Sequence, residues 1–165
     1  MRIIGLAGWS GSGKTSLVVR LLPVLVARGL RVSTIKHAHH EFDVDTKGKD
    51  SYEHRAAGAH EVLVASARRF ALMHELRDAP EPTLEALVAR LAPVDLLIVE
   101  GFKRHAHDKI EVHRPSVGKK LLAPDDPHIV AVASDAALEG LAVPRLDLDD
   151  TAAIAAFVAK HTGLA

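Results

Sequence analysis

Near the start of the chain, Gly8-Trp9-Ser10-Gly11-Ser12-Gly13-Lys14-Thr15 lies between two apolar runs, Arg2-Ile3-Ile4-Gly5-Leu6-Ala7 and Ser16-Leu17-Val18-Val19-Arg20-Leu21-Leu22. The first run suits a short buried strand and the second a helix, so the glycines turn a strand straight into a helix N-terminus. A helix N-terminus leaves backbone N–H groups without intrahelical partners, and glycine lets the chain take φ > 0 and close around an anion. The spacing G-x-x-x-x-G-K-[ST] is that of a P-loop, a cradle for nucleoside phosphates. In this reading Ser10, Gly11, Ser12, Gly13, Lys14, Thr15 and Ser16 contact the nucleotide. Lys14 is also the catalytic cation on the β- and γ-phosphates, and the Thr15 hydroxyl joins the shell of Mg²⁺.

The rest of the chain alternates in the way such a start demands. A helix is expected over 14–28, with Leu17, Leu21, Leu22 and Leu25 on one face, and Pro23 should bend or bound it. Arg28-Gly29-Leu30 is a stop, and 31–35 is the next strand, completing a βαβ unit with parallel strands. A polar, histidine-rich loop over 36–50 leads to a helix from Tyr52 to Ala59, ended by Gly58. Two β-like runs follow at 61–65 and 69–74, then a helix capped by Thr83 and running to Leu91. Val94-Asp95-Leu96-Leu97-Ile98-Val99 is the most apolar strand. Further strands are expected at 128–133 and 144–146, and a last helix at 150–161. Residues 103–120 stand out only as a basic segment. The pattern predicts an α/β, P-loop NTPase-like fold: one domain over 1–165, a mostly parallel sheet and helices on both faces. Ligands then gather at the carboxyl ends of the strands.

Composition narrows the function. Lys+Arg and Asp+Glu balance at 21 each, so no net field favours nucleic acid or a membrane surface. Cysteine is absent, which excludes disulfides, zinc thiolate sites and cysteine nucleophiles. Aromatics make up only 4%, so the core must be aliphatic. The N-terminal apolar run is too short for a signal peptide, and no apolar stretch is long enough to span a bilayer, so the expected location is the cytoplasm.

Three further constellations carry chemistry. Leu96-Leu97-Ile98-Val99-Glu100 is an apolar strand with a carboxylate at its tip, the form that holds Mg²⁺ beside a P-loop; the bland alternative is a solvated strand-end acid. Gly101 could offer its backbone N–H to the γ-phosphate, making Glu100-Gly101 a sensor of triphosphate. Lys36-His37-Ala38-His39-His40-Glu41-Phe42-Asp43-Val44-Asp45 admits three readings: a transition-metal site, a nucleotide or partner contact in which Asp45 or Asp50 orients a water, or a polar surface loop. Lys103, Arg104 and Lys109, with Lys119 and Lys120, would hold a second anion or an acidic partner, or form a solvated loop. The usual guanine signature Asn-Lys-x-Asp is absent; Ser134-Asp135, after a buried strand, is the replacement, since a carboxylate accepts from guanine N1 and N2.

Taken together, these residues resemble the molybdopterin-guanine dinucleotide biosynthesis adaptor (B) family. The resemblance rests on Gly11-Ser12-Gly13-Lys14-Thr15-Ser16, Lys36-His37-Ala38-His39-His40, Phe42-Asp43-Val44-Asp45 and Gly48-Lys49-Asp50-Ser51. It continues through Arg55-Ala56-Ala57-Gly58-Ala59, Val99-Glu100-Gly101-Phe102-Lys103, Lys109-Ile110-Glu111-Val112 and Ala133-Ser134-Asp135. Tyr52-Glu53-His54 departs from a more basic stretch of the family. The resemblance implies a GTP-binding, Mg²⁺-dependent homodimer with feeble GTPase activity. It implies a partner too, the nucleotidyltransferase that joins GMP to molybdopterin, and other molybdenum cofactor proteins beside it. Lys14 and Thr15 carry over as phosphate and Mg²⁺ contacts, and Glu100 as a metal contact. Two other classes fit the P-loop alone: an ATP-dependent small-molecule kinase, and a metallochaperone that binds Ni²⁺ or Zn²⁺ through His37, His39 and His40.

Overall fold

The computed structural model describes residues 1–38, 42–103 and 105–165. The chain gathers into two compact units, the first made of 1–37 and 88–165 and the second of 38–87.

The first unit is built on six parallel strands: β1 (Arg2–Ala7), β2 (Val32–Lys36), β5 (Leu96–Glu100), β6 (Lys109–His113), β7 (Ile129–Ser134) and β8 (Arg145–Asp147). Their order in the sheet is β2-β5-β1-β6-β7-β8, so β1 and the loop after it are central. Two helices, α1 (Lys14–Ala27) and α4 (Thr151–Thr162), cover one face. They bury Leu17, Val18, Leu21, Leu25, Ile154, Ala155 and Val158 against Ile4, Leu6, Leu96, Ile98, Ile110, Val112, Ala131 and Ala133. As the composition requires, this core cluster is aliphatic. The opposite face meets His105, His107 and a 3₁₀ turn, Ala123–Asp125; another such turn, Pro115–Val117, follows β6.

Most strand and helix positions match the periodicity, with informative exceptions. Pro23 lies inside α1 and does not end it: Leu21 and Leu25, on either side, are both fully buried, and packing outweighs the lost hydrogen bond. The stretch expected to be part of a basic segment contains β6, a central strand whose five residues are all buried. Its apolar residues Ile110 and Val112 join the core, and Lys109, Glu111 and His113 alternate to the other side. Those polar groups are buried because they are paired. Lys109 Nζ lies 3.0 Å from Asp126 Oδ2 and donates to the His105 carbonyl at 2.7 Å. Glu111 accepts the amides of Leu122 and Ala123, each at 2.9 Å. Asp150 caps α4, its carboxylate accepting the Ala153 amide at 2.8 Å.

In the second unit, α2 (Asp50–Ala56) starts two residues earlier than expected, placing Asp50 and Glu53 in its first turn and His54 and Arg55 in its last, as the helix dipole favours. β3 (Glu61–Ala65) and β4 (Phe70–His74) pair antiparallel as a hairpin. Thr83 caps α3 (Leu84–Val88) through the Ala86 amide, and the helix ends short of Leu91.

Candidate functional site

The sheet is parallel, so every strand of the first unit releases its following residue at the same edge. Gly8 follows β1, His37 follows β2, Gly101 follows β5, Arg114 follows β6 and Asp135 follows β7.

Residues 8–13 form the turn between β1 and α1. Gly8 takes φ +144°, and a methyl group placed there would meet the Val112 carbonyl oxygen at 2.4 Å, so only glycine passes β6 this closely. Gly13 (φ +95°) is the N-cap of α1, with no side-chain cap and no acid in the first turn, which leaves the first amides of the helix for an anion. Within the loop, Ser12 is buried and its hydroxyl has no hydrogen-bond partner among the described residues. Lys14 Nζ donates to the carbonyls of Gly8 at 3.0 Å and Trp9 at 2.9 Å. Burial lowers the Lys14 ammonium below its ordinary value, the charges of Lys103 and Lys36 add to that, and Glu100 opposes it.

Glu100, at the tip of β5, accepts a hydrogen bond from the Thr15 hydroxyl at 2.7 Å. A hydroxyl and a carboxylate joined beside a phosphate cradle are hard oxygen donors of the kind Mg²⁺ takes, so the donor set fits the cation expected there. Lys36 Nζ donates to the same Thr15 oxygen at 3.3 Å and lies 3.7 Å from Glu100 Oε1. Lys103 Nζ sits 4.9 Å from the centre of the Trp9 ring, and the Trp9 indole donates to the Lys120 carbonyl at 2.8 Å. The amide of Gly101 is engaged by the Leu6 carbonyl at 3.3 Å. Gly101 itself (φ +102°) would bring a methyl group to 2.7 Å from His37 Cβ. The next residue, Phe102, is buried at φ +49°, with its ring 4.7 Å from the His37 ring and 5.0 Å from that of His105.

Ser134 is buried and its hydroxyl accepts the Ala136 amide. Asp135 forms an ion pair with Arg114, whose guanidinium flanks Gly13, 3.5 Å from where a side chain there would begin. Arg114 thus links the phosphate loop to the acid expected to read the base. The sequence singles out neither Arg114 nor Trp9, and Lys36 only as the first residue of the histidine-rich constellation. The alternation Lys109-Ile110-Glu111-Val112-His113, read as a strand, would have put Arg114 at the ligand edge.

The other expected residues lie elsewhere. Asp95, at the start of β5, pairs with Arg31. In the second unit, the Asp45 carboxylate accepts from Ser51 Oγ at 2.9 Å and the Thr46 amide at 3.0 Å and faces Arg55 at 3.6 Å. Arg55 also holds Asp43 at 2.7 Å and Glu75 at 3.0 Å, and Asp43 first, then Glu75, raise its guanidinium above the ordinary arginine range. Within these residues, Asp45 is a tie between loop and helix. Among the described residues no three His, Asp or Glu side chains gather as a metal site; His39, His40, Glu41 and Arg104 lie outside those residues.

Residues 3–135 match the family model for molybdopterin guanine dinucleotide synthesis protein B. The molybdopterin-guanine dinucleotide biosynthesis adapter protein of Escherichia coli (strain K12) is 45% identical over 96% of this chain and 91% of that protein. The protein of that name from Haemophilus influenzae is 40% identical over 94% and 86%. A crystal structure of molybdopterin-guanine biosynthesis protein B superposes with a TM-score of 0.75, at 28% identity over 96% of this chain and 99% of that one. The kinase and metallochaperone readings find no support in these relatives. A central glycine loop, a hydroxyl–carboxylate pair joining the start of α1 to the tip of β5, and likeness over nearly the whole length converge: the chain belongs to the molybdopterin guanine dinucleotide synthesis protein B family.

Proposed function

We propose that this protein is an adapter in molybdopterin-guanine dinucleotide biosynthesis that binds GTP with Mg²⁺ and hydrolyses it slowly at most. The observation that carries the nucleotide part is the Thr15–Glu100 hydrogen bond of 2.7 Å at the mouth of the Gly8–Thr15 turn. Ser10, Gly11, Ser12, Gly13 and Ser16 line the phosphate cradle, and Lys14 leaves the Gly8 and Trp9 carbonyls to bind the phosphates. Thr15 and Glu100 hold Mg²⁺, which supplies charge neutralisation along the polyphosphate. Glu100 is already engaged with Thr15 and Lys36, so it serves as a metal holder rather than as a base for water, which accords with slow hydrolysis. Asp135, oriented by Arg114, reads guanine, with Ser134 shaping the turn behind it. Gly101 keeps its amide on Leu6 and acts by letting His37 close, and Asp45 acts through Arg55 by positioning its loop.

The partner in this reading is the nucleotidyltransferase that attaches GMP to molybdopterin, in the cytoplasm. A homodimer is favoured by the hairpin: Leu63, Leu72 and Phe70 share one face of β3–β4 and are 61%, 46% and 72% exposed. An apolar two-stranded ribbon that pairs with no further strand among the described residues is suited to pairing with a second copy.

Titration of fluorescent nucleotides in the presence of Mg²⁺ tests the reading, with tight binding of GTP expected over ATP. Lys14→Ala removes a charge-assisted hydrogen bond to phosphate and should weaken GTP by at least ~10-fold. A preference for ATP, or full affinity in Lys14→Ala, overturns it. For the adapter role, the GTP-loaded protein should retain the nucleotidyltransferase in a pull-down with purified components.

A further inference from the structure

Lys36 is the last residue of β2, and the parallel pairing of β2 with β5 sets it directly opposite Glu100. Register partners in neighbouring strands send their side chains to the same face. The ammonium therefore reaches both oxygens that fit the metal, Thr15 Oγ1 at 3.3 Å and Glu100 Oε1 at 3.7 Å. The Glu100 side chain is only 13% exposed, whereas that of Lys36 is 58% exposed.

Charge around the loop is unbalanced. Among the described residues, the ammonium groups of Lys36 and Lys103 and the Glu100 carboxylate act on Lys14, three cations against one acid. That excess suits a polyphosphate that still carries negative charge after binding its metal. A cation on Thr15 takes the hydroxyl lone pair that now accepts from Lys36, and two cations that close repel strongly in a partly buried site. The ammonium must then turn away. The anion within its reach is the terminal phosphate, whose oxygens share the cation with Thr15 in a P-loop site.

We propose that Lys36 is a ligand of the terminal phosphate of the bound triphosphate, turning to it from Thr15 and Glu100 when the metal takes those oxygens. The inference rests on the nucleotide reading above and adds to it the residue that tells triphosphate from diphosphate. A diphosphate offers the displaced ammonium no anion at that place. The state of the nucleotide is thereby registered at the end of β2, next to His37, whose amide bonds the Glu100 carbonyl at 2.8 Å and whose ring packs on Phe102.

The test is isothermal titration of wild type, Lys36→Ala and Lys36→Arg with a non-hydrolysable GTP analogue and with GDP, at fixed Mg²⁺. Lys36→Ala should lose ~10-fold or more in affinity for the analogue while GDP changes by less than about two-fold. Lys36→Arg, which keeps the charge, should recover part of the loss. Equal losses for the two nucleotides, or no loss for either, overturn the role of Lys36. If wild type binds the analogue and GDP with Lys14-dependent affinity, such a result leaves the nucleotide reading standing. If wild type binds neither, that reading falls and takes Lys36 with it. Unchanged thermal unfolding of Lys36→Ala shows that any loss is not a folding defect.

Discussion

Lys109 is the sharpest test of how this fold tolerates charge at its centre. Its side chain is 1% exposed, and its ammonium meets Asp126 at 3.0 Å and the His105 carbonyl at 2.7 Å. Lys109→Met keeps most of the apolar stem and removes the charge. Breaking a buried pair from one side costs about 3–5 kcal/mol. Asp126 stands at the lower end of that range when left alone, because its side chain is 23% exposed and it keeps the His128 amide at 2.9 Å. About 3 kcal/mol is therefore expected for Lys109→Met. Asp126→Ala should cost more, about 4–5 kcal/mol, since the stranded ammonium has no route to water and His128 loses its partner. The double variant should recover at least ~1.5 kcal/mol relative to the sum, the signature of a coupled pair.

Urea unfolding followed by fluorescence reads this directly, because the chain has one tryptophan, Trp9, in the same unit as β6. Additivity of the two substitutions within about 0.5 kcal/mol, or a smaller loss for Asp126→Ala than for Lys109→Met, would refute the reasoning. Acid should act through the same pair. Burial works to raise the Asp126 carboxyl, but the His128 amide and the bond and charge of Lys109 outweigh it and hold it below the ordinary value of 3.8. Its stabilisation is thus present above that pH and is lost as pH falls below it.

His107 offers a second pH test at a higher range. Both its ring nitrogens are buried, and burial first, then the charges of Lys109, His105 and His128, lower its imidazole below the ordinary 6.5, against a backbone bond to His105 that raises it. The unfolded chain then takes up a proton that the folded one refuses, so stability holds above pH 6.5 and declines below it. His107→Leu should flatten that decline by up to ~1.4 kcal/mol per pH unit, measured as urea midpoints at neutral and mildly acid pH; an unchanged slope would remove His107 from the account. For the base, Asp135→Asn should lower GTP affinity ~10-fold or more and raise that for xanthosine triphosphate, which presents a carbonyl where guanine has its amino group. Equal losses for the two nucleotides in a competition titration would show that Asp135 acts only through Arg114.

Much of the fold was legible because its signals are local. Strand, glycine turn and helix at 2–27, the apolar run at 96–100 and the capped helix after Asp150 each declare themselves within a few residues. β6 did not, because a central strand carrying Lys109, Glu111 and His113 looks like a solvated segment until the partners that neutralise it are known. Those partners, Asp126 and the amides of Leu122 and Ala123, come from a later stretch folded back over the sheet. Pro23 failed as a boundary signal for a related reason: the burial of Leu21 and Leu25 is a tertiary fact, and it overrides the local penalty.

The candidate site divides along the same line. Lys14 and Thr15 sit in a contiguous motif, and Glu100 ends an apolar strand, so their chemistry follows from residue type and spacing alone. Lys36 and Arg114 carry no such mark, since each acquires its neighbours from strand order. Parallel pairing of β2 with β5 makes Lys36 the register partner of Glu100, across 64 positions of chain. The placing of β6 between β1 and β7 brings Arg114 between Gly13 and Asp135. In the proposed reading, motif residues hold the phosphates, and the two basic residues set by topology lie where the terminal phosphate and the base would have to be told apart. Discrimination in this family member is therefore expected to fail under substitutions that leave the P-loop motif intact, and the Lys36 and Asp135 variants are the ones that separate binding from discrimination.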